Sequence, residues 1–355
     1  MRFSLSYFIL FFIIFPSLTS CFNAESDRVS QAKNNGSKIA FSGNFKIKGI
    51  AMVATVKKVD TMVIKEMSET NANYVALMPY AFCSEENATV KFNIERQWWG
   101  EKEEGISETI DATSMHDLQV MVKPHIWFHD IDYSGDFKPD NEEKWKKFEN
   151  SFLDYIICFA KIAEEKGAKL FCIGTELRQV VKYRPGYWQV LIDSVRKIYT
   201  GQLTYAANWD DYEDVPFWDQ LDYIGIDAYF PLSLLKTPSV KEIQKGWKKY
   251  EEILQTFSEK HNKPILFTEF GYRNASFCAA YPWEENGRDI NNQAQANAYE
   301  GLFKTFAGKP WFAGGFAWKW YADNAEKHLH EIDYTPQQKP ALKILQTFYG
   351  VHSPG

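Results

Sequence analysis

No basic run longer than a few residues occurs in this sequence, and its formal net charge is -6. That excludes the positive footprint that nucleic-acid binding requires. Cysteine is scarce, with five in 355 residues, and no CxxC pair or Cys/His cluster has the spacing of a zinc site. No glycine-rich phosphate turn follows the first candidate strand, so the main sequence mark of a dinucleotide fold is missing. No internal repeat and no low-complexity tract interrupts the chain. No metal or organic cofactor is expected.

Aromatic residues are abundant instead: 12 Trp, 19 Tyr and 27 Phe, or 16% of the chain. Such a surplus suits either a site that stacks on flat apolar faces, as sugar rings present, or an aromatic-rich core. Composition does not choose between them.

The N-terminus reads as a targeting segment. Met1-Arg2 gives a small positive region, and SYFILFFIIFPSL is apolar but short and wrongly flanked for a membrane span. It closes on Leu18-Thr19-Ser20-Cys21, which resembles a bacterial lipoprotein signal with Cys21 as the lipidated residue; a plain secretory signal is the alternative. Acyl chains at ~0.8 kcal/mol per buried CH2 would tether the mature protein to the cell envelope, at the outer membrane or cell surface. Residues 1–20 are thus read as signal, 21–44 as lipidated Cys21 and polar tether, and 45–355 as one domain. Cys83, Cys158, Cys172 and Cys278 remain, with their pairing open; Cys158 and Cys172 fall in apolar patterns that favour buried free thiols. A monomer is expected.

From residue 45 onward, apolar runs alternate with amphipathic stretches. The candidate strands are 46–53, 74–80, 119–127, 169–176, 203–209, 222–230, 264–272 and 314–320. Helix-like segments lie between most of them, as at 143–167 and 293–308. Strand–helix alternation implies parallel strands with crossovers, and eight such units make an α/β fold of the (β/α)8 TIM-barrel type.

Two of these strands close on Thr-Glu: FCIGTE at Glu176 and PILFTE at Glu269. They are the fourth and seventh candidates, which face each other across a barrel mouth, at the strand ends where barrel active sites form. Alternation with Glu176 inward also places Cys172 and Gly174 inward. Two converging carboxylates are what glycosidic cleavage needs: one protonated to assist the leaving oxygen, one ionised to attack or to activate water. Two like charges placed close together push one proton affinity up. The competing reading pairs either glutamate with Arg178 or Arg273 as an ordinary ion pair.

GTELR (174–178), TEFGYR (268–273) and the GGFAWKW…QKPA tail (314–341) resemble glycoside hydrolase family 113, within the wider clan A. The resemblance covers roughly residues 45–350. It implies a retaining β-1,4-mannanase with Glu176 as acid/base and Glu269 as nucleophile, acting on mannan or manno-oligosaccharides. Most clan A enzymes carry Asn directly before the acid/base; Thr175 stands here, which agrees with the narrower family and leaves the identity of the 2-hydroxyl contact open.

Other strand ends offer sugar contacts: His125 and Trp127, Asn208 and Trp209, Asp227 and Tyr229, and Trp318. Tyr229 is placed to hydrogen-bond the nucleophile, Asn208 to take over the 2-hydroxyl contact, and Trp318 to floor the subsite beside the scissile bond. Each is otherwise a barrel plug. Lys123 and Asp227 suit a core ion pair. The loops 81–105 and 273–292 carry Trp98-Trp99, Tyr281 and Trp283 as candidate subsite walls. The expected activity is retaining hydrolysis of β-1,4-mannosidic bonds. Another β-glycan, an exo-mannosidase, or a non-catalytic glycan-binding lipoprotein are the alternatives.

Overall fold

A computed structural model of the chain describes residues 47–284, 289–323 and 331–350. Cys21, the apolar leader and the polar tether lie outside the described residues.

Among the described residues, ten strands form in chain order: β1 (Ile47–Met52), β2 (Tyr74–Leu77), β3 (Tyr80–Cys83), β4 (Gln119–Val122), β5 (His125–Phe128), β6 (Leu170–Thr175), β7 (Gln202–Asn208), β8 (Ile224–Asp227), β9 (Ile265–Phe270) and β10 (Phe312–Trp320). Eight of them close a parallel barrel in the order β1-β10-β9-β8-β7-β6-β4-β2, with β2 pairing back to β1. The expected TIM barrel is therefore present. The helices α1 (Thr61–Ser68), α2 (Glu103–Ser114), α3 (Glu142–Glu165), α4 (Arg178–Tyr183), α5 (Pro185–Arg196), α6 (Val240–His261), α7 (Asn292–Phe306) and α8 (Pro340–Tyr349) are interspersed along the chain.

The two longest helices show why these segments are helical. In α3, the Asn141 side chain accepts from the Lys144 N–H, satisfying an orphan donor at the start. Trp145, Phe148, Phe152, Tyr155, Ile156 and Phe159 then repeat on one buried face. In α6, Ser239 and Glu242 form a capping box, and Asn262 ends the helix in a left-handed conformation at φ 50°. Trp247 of α6 stacks on Phe267 of β9, their rings 5.8 Å apart. Ile47, Ala51, Met121, Leu170, Leu266 and Phe316 form a separate cluster inside the barrel. Barrel closure needs glycine at Gly314. Its φ is 117°, and a Cβ there would stand 2.0 Å from the Ile47 carbonyl oxygen.

Two expected strands are each broken in two, and proline is the cause. The run 74–80 stops before Pro79, and 119–127 stops before Pro124. Proline has no N–H to continue the ladder. The pieces beyond, β3 and β5, leave the barrel and pair with each other, Tyr80 opposite His125 and Phe82 opposite Trp127. His125 and Trp127 thus stand on a small sheet above the barrel rim rather than on a barrel strand. Among the described residues, Cys83, Cys158, Cys172 and Cys278 are free thiols.

Candidate active site

Glu176 follows directly on β6. Its backbone is left-handed at φ 51°, a conformation uncommon outside glycine and concentrated at functional sites. The neighbouring strand holds it there: the Glu176 N–H donates to the Ala206 carbonyl at 2.8 Å, and the Leu177 N–H donates to the Tyr205 hydroxyl at 2.7 Å. Strand register slips between Cys172 and Thr175. The slip corrects one expectation. Cys172 faces the barrel interior near Lys123, but a Cβ on Gly174 would point outward, 3.0 Å from the Trp188 ring of α5.

Glu269 sits past a similar irregularity. Ile226 pairs with Phe267 but Asp227 pairs with Glu269, leaving Thr268 as an extra residue. Leu266 points into the barrel, so strict alternation would turn Glu269 outward. The bulge at Thr268 re-aims it into the cleft.

The Glu269 carboxylate is gripped on both oxygens. Lys123 Nζ donates to Oε1 at 2.5 Å, and the Tyr229 hydroxyl donates to Oε2 at 2.7 Å. Lys123 also donates to Asp227 Oδ1 at 2.9 Å, which accepts a further bond from the Thr268 hydroxyl at 2.8 Å. Lys123 and Asp227 are each 1% exposed. The expected core ion pair is therefore real, and it extends to the carboxylate of Glu269. Burial alone would neutralise Lys123, but the two carboxylates outweigh it and hold the ammonium well above its ordinary range.

Three carboxyls, Glu176, Asp227 and Glu269, share this one ammonium. Glu176 accepts no hydrogen bond and pairs with no cation among the described residues. Loss of water and the charges of Asp227 and Glu269 push its carboxyl well above the ordinary range. Burial, then the Glu269 charge, also pushes Asp227 up to about 7 despite its two donors. Glu176 is thus the carboxyl pushed toward its protonated form, and Glu269 the one supplied with donors. The ion-pair alternative fails in detail. Arg178 bonds Asp136 at 3.0 Å, and Arg273 donates to the Glu284 carbonyl at 2.9 Å.

Both glutamates line one open cleft of about 640 Å3, together with His125, Asn208, Trp209, Tyr229, Trp283 and Trp318. The His125 ring stacks on Trp318 with centroids 6.4 Å apart, and its Nε2 is 3.9 Å from Glu269 Oε1, too far for a hydrogen bond. Burial and the Lys123 charge keep His125 neutral. The Asn208 amide donates to the Tyr133 hydroxyl at 2.9 Å and accepts from the Trp209 N–H. The Thr175 hydroxyl turns to the Pro124 carbonyl at 3.3 Å. Trp209 and Trp283 stack at 5.3 Å, with Tyr281 edge-on to Trp283 at 5.8 Å.

Trp127 departs from expectation. It does not line the carboxylate cleft but a second groove beside it. The Trp98-Trp99 pair also divides: Trp98 is exposed in that groove, while Trp99 packs against the core. Sequence reasoning missed Tyr80, Tyr133 and Arg178 as cleft residues. Tyr80 follows the strand-ending Pro79, and that proline was the available signal. Tyr133 and Arg178 carry no comparable mark. No cluster of metal-binding side chains occurs among the described residues.

A carboxyl pushed toward its protonated form opposite a carboxylate held by two donors, in an aromatic cleft at barrel strand ends, fits acid-assisted cleavage of a glycosidic bond. Known proteins agree. Among solved structures, a β-mannanase of glycoside hydrolase family 113, AaManA from Alicyclobacillus acidocaldarius in complex with ManMIm, aligns with TM-score 0.76 at 24% identity, covering 87% of this chain and 98% of that one. A complex structure of a β-1,4-mannanase of the same family aligns with TM-score 0.74 at 25% identity, covering 86% and 99%. A β-glucuronidase from Ruminococcus gnavus shares the fold at TM-score 0.58 and 11% identity, covering 86% of this chain and 50% of that one. No curated protein matches. The family model described as Glycoside Hydrolase Family 113 matches residues 54–339, and the chain belongs to that family of glycoside hydrolases.

Proposed function

We propose that this hydrolase cleaves β-1,4-mannosidic linkages of mannan or manno-oligosaccharides by double displacement with retention of configuration. One observation carries the mechanism: the buried Glu176 carboxyl has no donor on it and is pushed toward its protonated form, while Glu269 has a donor on each oxygen. Glu269 attacks the anomeric carbon and Glu176 protonates the departing oxygen. The resulting glycosyl ester is then hydrolysed by water that the deprotonated Glu176 activates. Lys123 and Tyr229 hold the nucleophile in place by a hydrogen bond to each of its oxygens. Asn208, at the cleft wall beyond Thr175, is the group proposed to hold the sugar 2-hydroxyl. The mannan specificity rests on the likeness to the β-1,4-mannanase at 25% identity.

A purely glycan-binding role fits less well. A binder needs neither a raised proton donor nor a buried ammonium on the facing carboxylate. The Leu18–Cys21 motif supports lipid anchoring at Cys21 and placement in a bacterial envelope. Product analysis on a panel of β-glycans, with Glu269→Ala as control, tests the activity. Mannan cleavage with β-configured first products, lost in the variant, is expected; cleavage of another glycan alone would replace the substrate.

A further inference from the structure

Beside the carboxylate cleft runs a second groove of about 430 Å3, within the range of ligand sites. Tyr80 and Trp318 line both hollows, so the two are direct neighbours. Trp98 and Trp127 stand in this groove 47% and 59% exposed. Large apolar side chains left this open along one surface need a reason.

Neither indole is idle for want of a core. Trp99, next to Trp98, packs inward, and Trp98 opens a short turn in which its backbone N–H donates to Glu101 Oε2 at 3.2 Å. Trp127 lies two residues beyond the cleft residue His125, on the same face of β5, and pairs with Phe82 of β3. The small β3–β5 sheet therefore carries His125 to the carboxylates and Trp127 to the groove. Polar groups flank the indoles. Lys319 lies at the groove within 3.8 Å of Asp333, and Arg96 forms no ion pair among the described residues. Apolar platforms between hydroxyl-binding side chains are the chemistry of a pyranose chain.

The direction follows from the chemistry of the two glutamates. The nucleophile bonds the sugar that stays; the acid protonates the part that leaves. His125 packs on Tyr80 and Trp318, the two residues shared with the groove, and stands 3.9 Å from Glu269, whereas Glu176 follows β6, beside β7 whose end carries Asn208. We infer that the Trp98–Trp127 groove is a glycone-side track that seats two further sugar units of the substrate chain, beyond the unit bonded to Glu269. The enzyme then cuts inside chains and selects bonds with three units on the non-reducing side. The track deepens the proposed function and rests on it.

The full-length chain, purified in detergent, is given mannohexaose labelled at its reducing end, and the first products are identified. The wild type is expected to release unlabelled mannotriose or longer. Trp98→Ala and Trp127→Ala should shift the first cut toward the non-reducing end. Each should lower kcat/KM on mannohexaose relative to an aryl β-mannoside by about tenfold, with Trp127→Phe recovering most of the loss. Unchanged cut positions and length dependence in both alanine variants would overturn the track alone, as would release of single mannose units by the wild type. A wild type inactive on every glycan tested overturns the proposed function and the track together. Cleavage of a different β-glycan moves the same labelled analysis to that glycan, where the same shift decides.

Discussion

Lys123 Nζ stands 2.5 Å from Glu269 Oε1, so a buried ammonium at the end of β4 is bonded directly to the carboxylate at the end of β9. The same ammonium bonds Asp227 at 2.9 Å. Its position ties three separate strands to one charge centre under the cleft. Replacing Lys123 by Met removes the positive charge but leaves both carboxylates buried. Breaking a buried pair from one side costs about 3–5 kcal/mol. Lys123→Met is expected to lower the unfolding midpoint sharply and to reduce kcat strongly. The sign with pH follows from the direction of the shift. The lysine is raised in the folded state, so its contribution is complete below its ordinary value of about 10.4 and is lost only above that. Lys123 itself stays charged between pH 6 and pH 8, but Asp227, pushed up to about 7, ionises across that interval and the variant leaves its charge unpaired, so the destabilisation should be larger at pH 8; thermal melts at both pH values check it.

Glu176 has the opposite consequence. A carboxyl raised above its ordinary value favours the folded state while protonated, and that advantage is lost as pH rises from about 4.3 through the raised value. Glu176→Gln is isosteric and cannot ionise. It should gain stability relative to the wild type as pH rises, a gain that melts across pH 4 to 8 would reveal. In activity, the same raised proton affinity sets the alkaline limb of the rate profile. Glu176→Ala should lose about 10²–10⁴-fold on mannan but far less on aryl substrates whose leaving groups need no proton. Equal losses on both substrates would remove the acid role.

The barrel was legible because its signals are local. Apolar runs, amphipathic helices and their order along the chain required no knowledge of contacts, and 143–167 and 293–308 appear as α3 and α7. The two glutamates were legible for the same reason, since each terminates an apolar run. What escaped notice depends on register. Alternation counted from Leu266 turns Glu269 away from the cleft, and only the extra residue at Thr268 brings it back. Gly174 misled in the same way. The strand breaks at Pro79 and Pro124 were visible but unread, and they decide which groove receives Trp127. Lys123 looked like an ordinary core partner because sequence spacing gives no measure of reach across a barrel.

Barrel closure offers a test independent of chemistry. At Gly314 an added methyl would meet the Ile47 backbone, which cannot rotate away, and φ 117° disfavours any side chain. Gly314→Ala should destabilise by about 1–3 kcal/mol or more. Gly186 has open space around its Cβ position and an ordinary φ, so Gly186→Ala should be close to neutral. Paired urea titrations of the two variants measure the difference.

Cys21 sets cellular position if the lipoprotein motif is used. Cys21→Ala would remove the only acceptor thiol in the motif. The variant is expected to leave the membrane fraction while its specific activity on mannan stays unchanged. Fractionation that follows the wild type would refute the anchor and favour a plain secretory signal.

The nucleophile role of Glu269 makes the sharpest chemical prediction. Removing an attacking group from a cooperating set typically costs about 10⁴-fold or more in kcat, so Glu269→Gly should be almost inactive. That loss alone does not separate a nucleophile from a residue that merely holds Lys123 and Tyr229. A small anion does. In Glu269→Gly the space of the missing carboxylate opens onto the anomeric carbon, and azide can enter from that side. With an aryl β-mannoside, azide should restore turnover and give α-mannosyl azide, because a single displacement inverts the centre that double displacement retains. Glu176 deletion places the vacancy at the leaving oxygen instead, on the opposite face. Azide should then capture the glycosyl ester of Glu269 and yield the β-mannosyl azide. NMR of the two azide products reads the configuration directly. Opposite anomers from the two variants would assign both glutamates at once, and the same anomer from both would overturn the assignment.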